Sequence, residues 1–383
     1  MVQRSIRHYL IVAALTLCAG IAIFSGQPTS SQTNNYIGDE KCLSCHENQR
    51  KYLGTAHHLT SQSASASSIA GSFAPGKNIL KVQRELQFRM ESKADGFFQT
   101  GVLGAPPDTI SISKRIDFVI GSGRKGQTYL YWDNEDQLFQ LPISYWTEVN
   151  SWVRSPGYGN RSLEFGRPVV PRCLECHASF FNAVLDAAVA NRYRKSNYTL
   201  GISCEKCHGP GKQHADLNAP GAAKPLDQAI LNPAKLPRDR QLSLCSLCHG
   251  GIGVAKAPAF SFAAGNALED FLHLEIPKPD DPLDVHGNQV ALLERSKCFK
   301  SSTMTCSTCH DVHQRQRKVG GFSEKCLACH KVESCGLFPK RGRSIVGKCV
   351  DCHLPNQTSN VIFSTHDGVL IKPKVRNHWI KVY

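Results

Sequence analysis

The stretch Cys204-Glu205-Lys206-Cys207-His208-Gly209-Pro210-Gly211-Lys212-Gln213-His214 carries two signals a few residues apart. The first is Cys-x-x-Cys-His. Two thiols at this spacing form thioether bonds with the two vinyl groups of one porphyrin, and the histidine that follows reaches the iron. The pentapeptide is thus an attachment site for a c-type haem. The second signal is His214, swung back by a Gly-Pro-Gly turn. The first signal recurs at Cys42-Cys45-His46, Cys173-Cys176-His177, Cys245-Cys248-His249, Cys306-Cys309-His310, Cys326-Cys329-His330 and Cys349-Cys352-His353. With 17 Cys and 16 His in 383 residues, seven such pentapeptides cannot be accidental. The sequence implies seven covalently attached c-type haems, with the seven motif histidines as proximal ligands.

Each iron has a sixth position, and its occupant decides between carrying electrons and transforming a substrate. Methionine would raise the potential, but beyond Met1 the chain has only Met90 and Met304. Outside the motifs and the N-terminal leader stand His57, His58, His214, His273, His286, His313, His366 and His378. His57 and His58 are adjacent and do not serve the same haem face. Counting them once leaves seven candidates for seven irons, which points to histidine on both faces. His313 follows His310 by three residues, too close to bond the same iron from the other side, so it is expected on a neighbouring haem. The same argument sends His214, and His57 or His58, across to other porphyrins. His273 lies in a Pro- and Asp-rich loop and His378 near the C-terminus. If either is not a ligand, one iron keeps an open position for nitrite, hydroxylamine or a sulfur oxyanion.

Motif spacing sets the layout. The first motif precedes the second by 131 residues, whereas residues 173–353 hold six. In the long gap, residues 61–76 read as a Ser/Ala/Gly linker. Lys81–Met90, Gly96–Val102, Thr109–Ile120, Gln127–Trp132 and Gln137–Trp146 alternate like strands between Pro-Pro-Asp and Gly-Ser-Gly turns. Gly121-Ser122-Gly123 reads as a hairpin turn rather than a phosphate-binding loop. Ala178–Asn197 spaces Phe180, Phe181, Val184, Leu185, Ala188 and Val189 like one face of a helix. Gly38-Asp39-Glu40 and Ser323-Glu324 read as helix starts, and His286 as the start of a helix running to Cys298. Residues 209–239 and 250–290 read as coil. The expected division is a signal peptide or anchor at 1–26, a first haem-binding segment at 36–60, a β-rich insertion at 77–150 and a six-haem cytochrome domain at 173–383. The expected fold is mostly short α-helices and coil wrapped around a packed cluster of seven haems, with an inserted antiparallel β-rich segment.

The leader combines Arg4 and Arg7 with the apolar run Leu10–Phe24, too short to span a bilayer comfortably. Export to the periplasm or another extracytoplasmic space follows, with membrane association through the N-terminus as the variant. Cys298 and Cys335 remain after the motifs and Cys18, and in an oxidising compartment they are expected to be bridged. The formal charge of +14 falls to +12 without Arg4 and Arg7. Seven haems, each with two propionates, add roughly −7 to −14, so no nucleic-acid partner is implied. Redox proteins are the expected partners. Arg315-Arg317-Lys318 and Lys340-Arg341-Arg343 are basic clusters that could face an acidic one, or simply be solvated. Zinc binding by the Cys-x-x-Cys pairs would not need a histidine after each second cysteine. The sequence leaves oligomeric state open.

The chain resembles exported multihaem cytochromes c of the group containing pentahaem nitrite reductase, hydroxylamine oxidoreductase and their tetrahaem electron-transfer partners. The resemblance rests on Cys42 to His58, Cys204 to His214, Cys306 to His313 and Cys349-Val-Asp-Cys-His-Leu-Pro. It implies stacked and tilted haem pairs in a mostly helical shell. The catalytic members depart from this chain: it has no Cys-x-x-Cys-Lys site and no eighth motif. No catalytic residue carries over. The expectation is a heptahaem electron carrier, against the alternative of a multihaem oxidoreductase with one open haem acting on a small nitrogen or sulfur compound.

Overall fold

The computed structural model describes residues 35–383 except 160, 185–187, 222–228, 276, 279–280, 317 and 367. The leader and Arg317 therefore lie outside the described residues.

Between Leu86 and Lys93, Leu86, Phe88 and Met90 are buried while their neighbours are half-buried or exposed. This period of two belongs to a strand with one face on a core. The strands up to residue 168 are β1 (Ser61–Ser63), β2 (Ile79–Gln83), β3 (Leu86–Lys93), β4 (Gly96–Ala105), β5 (Asp108–Arg115), β6 (Phe118–Ile120), β7 (Gly126–Trp132), β8 (Leu138–Gln140), β9 (Ile143–Trp146), β10 (Ser151–Arg154) and β11 (Arg167–Pro168). β2 to β5 form a four-stranded antiparallel meander. β1, β6, β7, β8 and β11 form a second sheet, which β9 and β10 join through β7. The sheets share one core, where Leu80, Leu86, Phe88 and Met90 meet Val119, Tyr129, Ile143 and Trp152. Buried Gln99 stitches them together: its Nε2 donates to the Ile143 carbonyl at 2.8 Å and its Oε1 accepts from the Ile143 amide at 3.1 Å. Met90 is fully enclosed in this core, away from every motif.

Gly121-Ser122-Gly123 is a turn between β6 and β7, with Gly121 and Gly123 at φ of 102° and 75°. Residues 61–76 are not a linker. Ser61–Ser63 pairs with Phe118–Ile120, Ile69 is buried, and a Cβ on Gly71 would come within 2.2 Å of the Trp152 ring. Small residues are needed there because the chain runs directly against that indole.

The mostly helical shell is also corrected. Helix and strand each make up about 27% of the described residues, and antiparallel pairs are not confined to the insertion. The described residues of Ala178–Asn197, which do not include Leu185, are not the expected helix: β12 (Ala178–Ala183) and β13 (Tyr193–Leu200) form an antiparallel pair with irregularities at Ala178/Phe180 and Phe181/Ala183. Those bulges break the period of two, and both faces are covered. Phe180 packs on Phe260 while Phe181 enters a core with Phe118, Leu138 and Leu174. An apolar run without alternation therefore imitates helical spacing. Further short pairs join Val254–Ala255 to Leu272–His273, Asn356–Thr358 to Lys374–Arg376, and Ser364–His366 to Val369–Ile371. These two-stranded ladders satisfy the backbone of the segments they join.

Candidate haem-binding site

The motifs sit on single helical turns. The amides of His46, His310 and His330 each donate to the carbonyl of the first cysteine of their motif at 2.9 Å. Residues four apart on a helix share a face, so cysteine and histidine point the same way. Motif one lies at the end of α1 (Asp39–Leu43), two in α2 (Pro171–Glu175), three in α3 (Cys204–His208), and four at the end of α5 (Arg238–His249), which follows α4 (Lys212–Leu217). Motif five occupies Cys306–Cys309, where Thr305 and Thr308 form a reciprocal capping box. Motif seven occupies Cys349–His353. Motif six falls in the last turn of Val319–Leu327, not in a first turn as Ser323-Glu324 suggested. The expected helix from His286 to Cys298 is two pieces, Gln289–Glu294 and Lys297–Lys300.

Four motif histidines each face a histidine from outside the motifs. Ring centres are 6.2 Å apart for His46 and His214, 6.2 Å for His57 and His249, 6.1 Å for His208 and His313, and 6.3 Å for His310 and His378. Two imidazoles bonded at about 2 Å to one metal, each ring centre roughly 1.1 Å behind its nitrogen, would lie about 6.2 Å apart. Stacking contact alone would bring parallel rings closer. The spacing therefore fits an iron between each pair. None of the pairs joins neighbours in sequence, and His313 and His214 do reach across to other motifs.

Several of these rings are oriented through Nδ1, which leaves Nε2 for a metal. His208 Nδ1 lies 2.9 Å from the Leu231 carbonyl, and His378 Nδ1 lies 3.1 Å from that of Arg376. His353 Nδ1 is 2.8 Å from the Lys381 carbonyl, and His177 Nδ1 is 3.1 Å from Thr60 Oγ1. Burial lowers the pKa of His57 and of His378 to about 4, and it lowers those of His177, His208, His249 and His310 as well. Neutral imidazole is the ligating form.

The other candidates are placed differently. His58 turns aside, its Nδ1 3.2 Å from Asp39 Oδ2, which separates it from His57. His286 is close enough to His177 to lower its pKa electrostatically, after the larger effect of burial. His366 is half-buried on its short strand. His273 is exposed on a two-residue strand beside Val254. The C-terminal segment carrying His378 is pinned, since the Ile380 amide donates to Ser296 Oγ at 2.7 Å.

Charged side chains clasp the motifs to one another. Asp39 Oδ1 accepts from the Cys204 amide at 2.8 Å. The buried Glu205 carboxylate, inside motif three, accepts from the amides of Ile37 at 3.0 Å, Gly38 at 2.9 Å and Gly211 at 2.8 Å. It thereby fixes both the approach to motif one and the turn that delivers His214 to His46. Arg172 pairs with Glu175 at 2.9 Å and donates to the Leu247 carbonyl at 2.8 Å, tying motif two to motif four. Neighbouring thiols interact in the same pattern. A hydrogen bond between the free Cys204 and Cys42 thiols raises the pKa of the first and lowers that of the second. Cys248 with Cys176, and Cys245 with Cys306, behave alike. Sequence reading missed these clasps, because a carboxylate within a motif looks like a spacer residue.

Cys298 and Cys335 are free thiols, and the expected bridge is not formed. Cys298 lies near Cys309 and Cys326 instead. Of the basic clusters, Lys340, Arg341 and Arg343 are exposed, whereas the Arg315 guanidinium donates to the Gly54 carbonyl. Among the described residues, no helix is long and apolar enough to cross a membrane.

A family model described as cytochrome c554 and c-prime matches residues 160–209, which contain motifs two and three. A C-type polyheme cytochrome, OmcC, of Geobacter sulfurreducens is 25% identical over 169 residues, covering 38% of this chain and 21% of that protein. The chain thus spans about a fifth of the curated relative it matches. No solved structure matches. With the repeated motifs and the facing histidines, these similarities support a multihaem c-type cytochrome of electron transport.

Proposed function

We propose that the protein is an exported heptahaem cytochrome that passes electrons between redox partner proteins through mostly bis-histidine haems. The observation that carries this reading is the four facing pairs at 6.1–6.3 Å, each one motif histidine and one non-motif histidine. A bound haem supplies one-electron chemistry by cycling between ferric and ferrous iron. The chain's part is to hold two imidazoles at fixed separation, keep them neutral, and set motif against motif. An iron with protein nitrogen on both faces offers no position to a substrate, which favours carriage over turnover. Similarity to a polyheme cytochrome points the same way, although only a fifth of that protein is matched. Export is proposed from the leader and from the usual site of c-type haem attachment, outside the cytoplasm. The exposed Lys340, Arg341 and Arg343 are proposed to face an acidic redox partner.

The test is a haem count by the pyridine haemochrome method followed by electron paramagnetic resonance of the oxidised protein. Seven haems per chain with only low-spin ferric signals is the expected result. Far fewer haems would overturn the reading altogether. A high-spin signal that responds to nitrite, hydroxylamine or sulfite would replace carriage by the oxidoreductase alternative.

A further inference from the structure

Lys206 stands between the two cysteines of motif three, yet its surroundings come from three motifs. Its Nζ lies 3.4 Å from the carbonyl of Ser179, just after motif two, and 5.1 Å from the centre of the Phe260 ring. Burial lowers the pKa of this ammonium, and the Glu175 carboxylate opposes that shift, with Cys176 of motif two, Cys207 of motif three and Cys248 of motif four within its electrostatic reach. Motif two also touches motif four directly, Cys176 Sγ lying 3.6 Å from the Leu247 carbonyl. Glu175 is already engaged, by Arg172 at 2.9 Å and by the Phe260 amide at 2.7 Å. Two cations thus share one anion, and the group has a net positive charge. Links run outward from it: motif three to motif one through the Cys204 amide on Asp39 at 2.8 Å, and motif four to motif five where α5 packs on Cys306–Cys309. Motif two ends against the sheets, where Ser61 Oγ donates to the His177 carbonyl at 2.6 Å.

We propose that motifs two, three and four meet as a three-way junction, and that the Lys206 ammonium at its centre raises the reduction potential of the haems bound there. This rests on the haem reading above. Adding an electron to an iron centre removes one positive charge from it. A fixed cation nearby in a poorly solvated site favours that change, and the interaction is stronger than it would be in water. The simpler role of a propionate counter-ion does not suit this position. Cysteines join the vinyl edge of a porphyrin and the propionates leave from the opposite edge, so a cation among cysteine sulfurs faces the wrong side of those haems. The junction would then be where electrons preferentially reside, with motifs one and five as its outlets.

The test compares the full-length holoprotein with Lys206→Met, Lys206→Arg and Glu175→Gln. A haem count comes first, because fewer than seven haems in the wild type counts against the haem reading and not against this inference. Spectropotentiometric titration should then show a downward shift confined to two or three haems in Lys206→Met, with low-spin resonance signals unchanged. Lys206→Arg should restore the wild-type curve, and Glu175→Gln should shift the same haems upward. An unchanged titration of Lys206→Met overturns the proposal. So does a Lys206→Arg curve lying above the wild type, since it would mean that the lysine carries no charge. Should Lys206→Met fail to take up haem, Glu175→Gln decides: no upward shift overturns the proposal equally.

Discussion

The sheet region and the motif region are held together in different ways. Of the twelve largest fully buried side chains among the described residues, eleven lie between Leu86 and Tyr193, and only Leu292 lies beyond. The sheets carry a core made of protein: Phe88, Met90, Tyr129 and Ile143 are removed from water by each other. From Cys204 onward the described apolar core is a small cluster around Leu247, Phe262, Leu268 and Leu272. What joins elements there is polar and specific: carboxylates gripping amides, an arginine gripping a carbonyl, histidines facing histidines. Most of these are contacts between segments far apart in sequence. Apolar burial tolerates small shifts, whereas a hydrogen-bonded clasp fixes position within a few tenths of an ångström. A region that must set iron against iron benefits from the second kind.

The largest expected effect breaks the sheet side alone. Phe88 is fully buried, 6.1 Å from the Phe165 ring centre, with the Arg154 guanidinium 4.5 Å above it. Phe88→Ala should cost about 3–5 kcal/mol. Hydrogen-exchange mass spectrometry should find protection lost across residues 86–146 while the haem absorption spectrum stays in place. Joint collapse of the haem spectrum would show that the two regions are one cooperative unit.

The next test acts on the motif side. His378→Ala removes the ring facing His310, and one haem in seven should change from low-spin to high-spin in the oxidised protein. His273→Ala should leave the resonance spectrum unmoved, since that ring is exposed on a two-residue strand. An identical response from both would remove the distinction that the ring geometry draws.

These two residues also show how far the site was legible. In sequence they looked alike, each in a loop with no motif beside it. Only tertiary contacts separate them, because the Ser296 bonds that hold the C-terminal segment span more than 80 residues. The seven Cys-x-x-Cys-His pentapeptides can be read directly, being local in the chain. Of the five expected strands, Gly96–Val102 and Gln127–Trp132 fall on single strands, whereas Thr109–Ile120 divides into β5 and β6, which belong to different sheets, and Gln137–Trp146 into β8 and β9. The expected strand at Lys81–Met90 is in fact a hairpin, bent at Arg84 and Glu85 without the usual glycine, proline or asparagine signal. The helix expected over Ala178–Asn197 failed where bulges and two covered faces erase alternation. The serines of residues 61–76 looked like filler, yet Ser61 both accepts from the Gly201 amide and donates to the His177 carbonyl.

A smaller effect sharpens the contrast. Tyr52 is buried and its hydroxyl donates to the Ile202 carbonyl at 2.6 Å, joining the first motif's segment to the approach of the third. Tyr52→Phe leaves that carbonyl without its donor, at a cost of about 1–3 kcal/mol. Exchange should rise in residues 47–60 and 200–205, and the sheets should be untouched. A loss spread evenly over the whole chain would mean that the clasp is not a local device.

The smallest effect depends on pH. Burial alone would raise the Asp39 pKa, but hydrogen bonds from His58 and from the Cys204 amide outweigh it, and the carboxyl ends below its ordinary value. A folded pKa below the unfolded one of about 3.9 means that the stabilisation is fully present above pH 4 and is lost as pH falls through the folded value. Protonated Asp39 still accepts from Cys204, so the loss is only the difference between a charged and a neutral acceptor, about 1 kcal/mol. Below pH 4 the contact between the first and third motifs should therefore loosen before the sheets do. Asp39→Asn should remove that acid step while lowering stability slightly at neutral pH. If acid titration monitored by exchange in residues 36–46 is the same with and without Asp39, the clasp between these motifs rests on Glu205 alone.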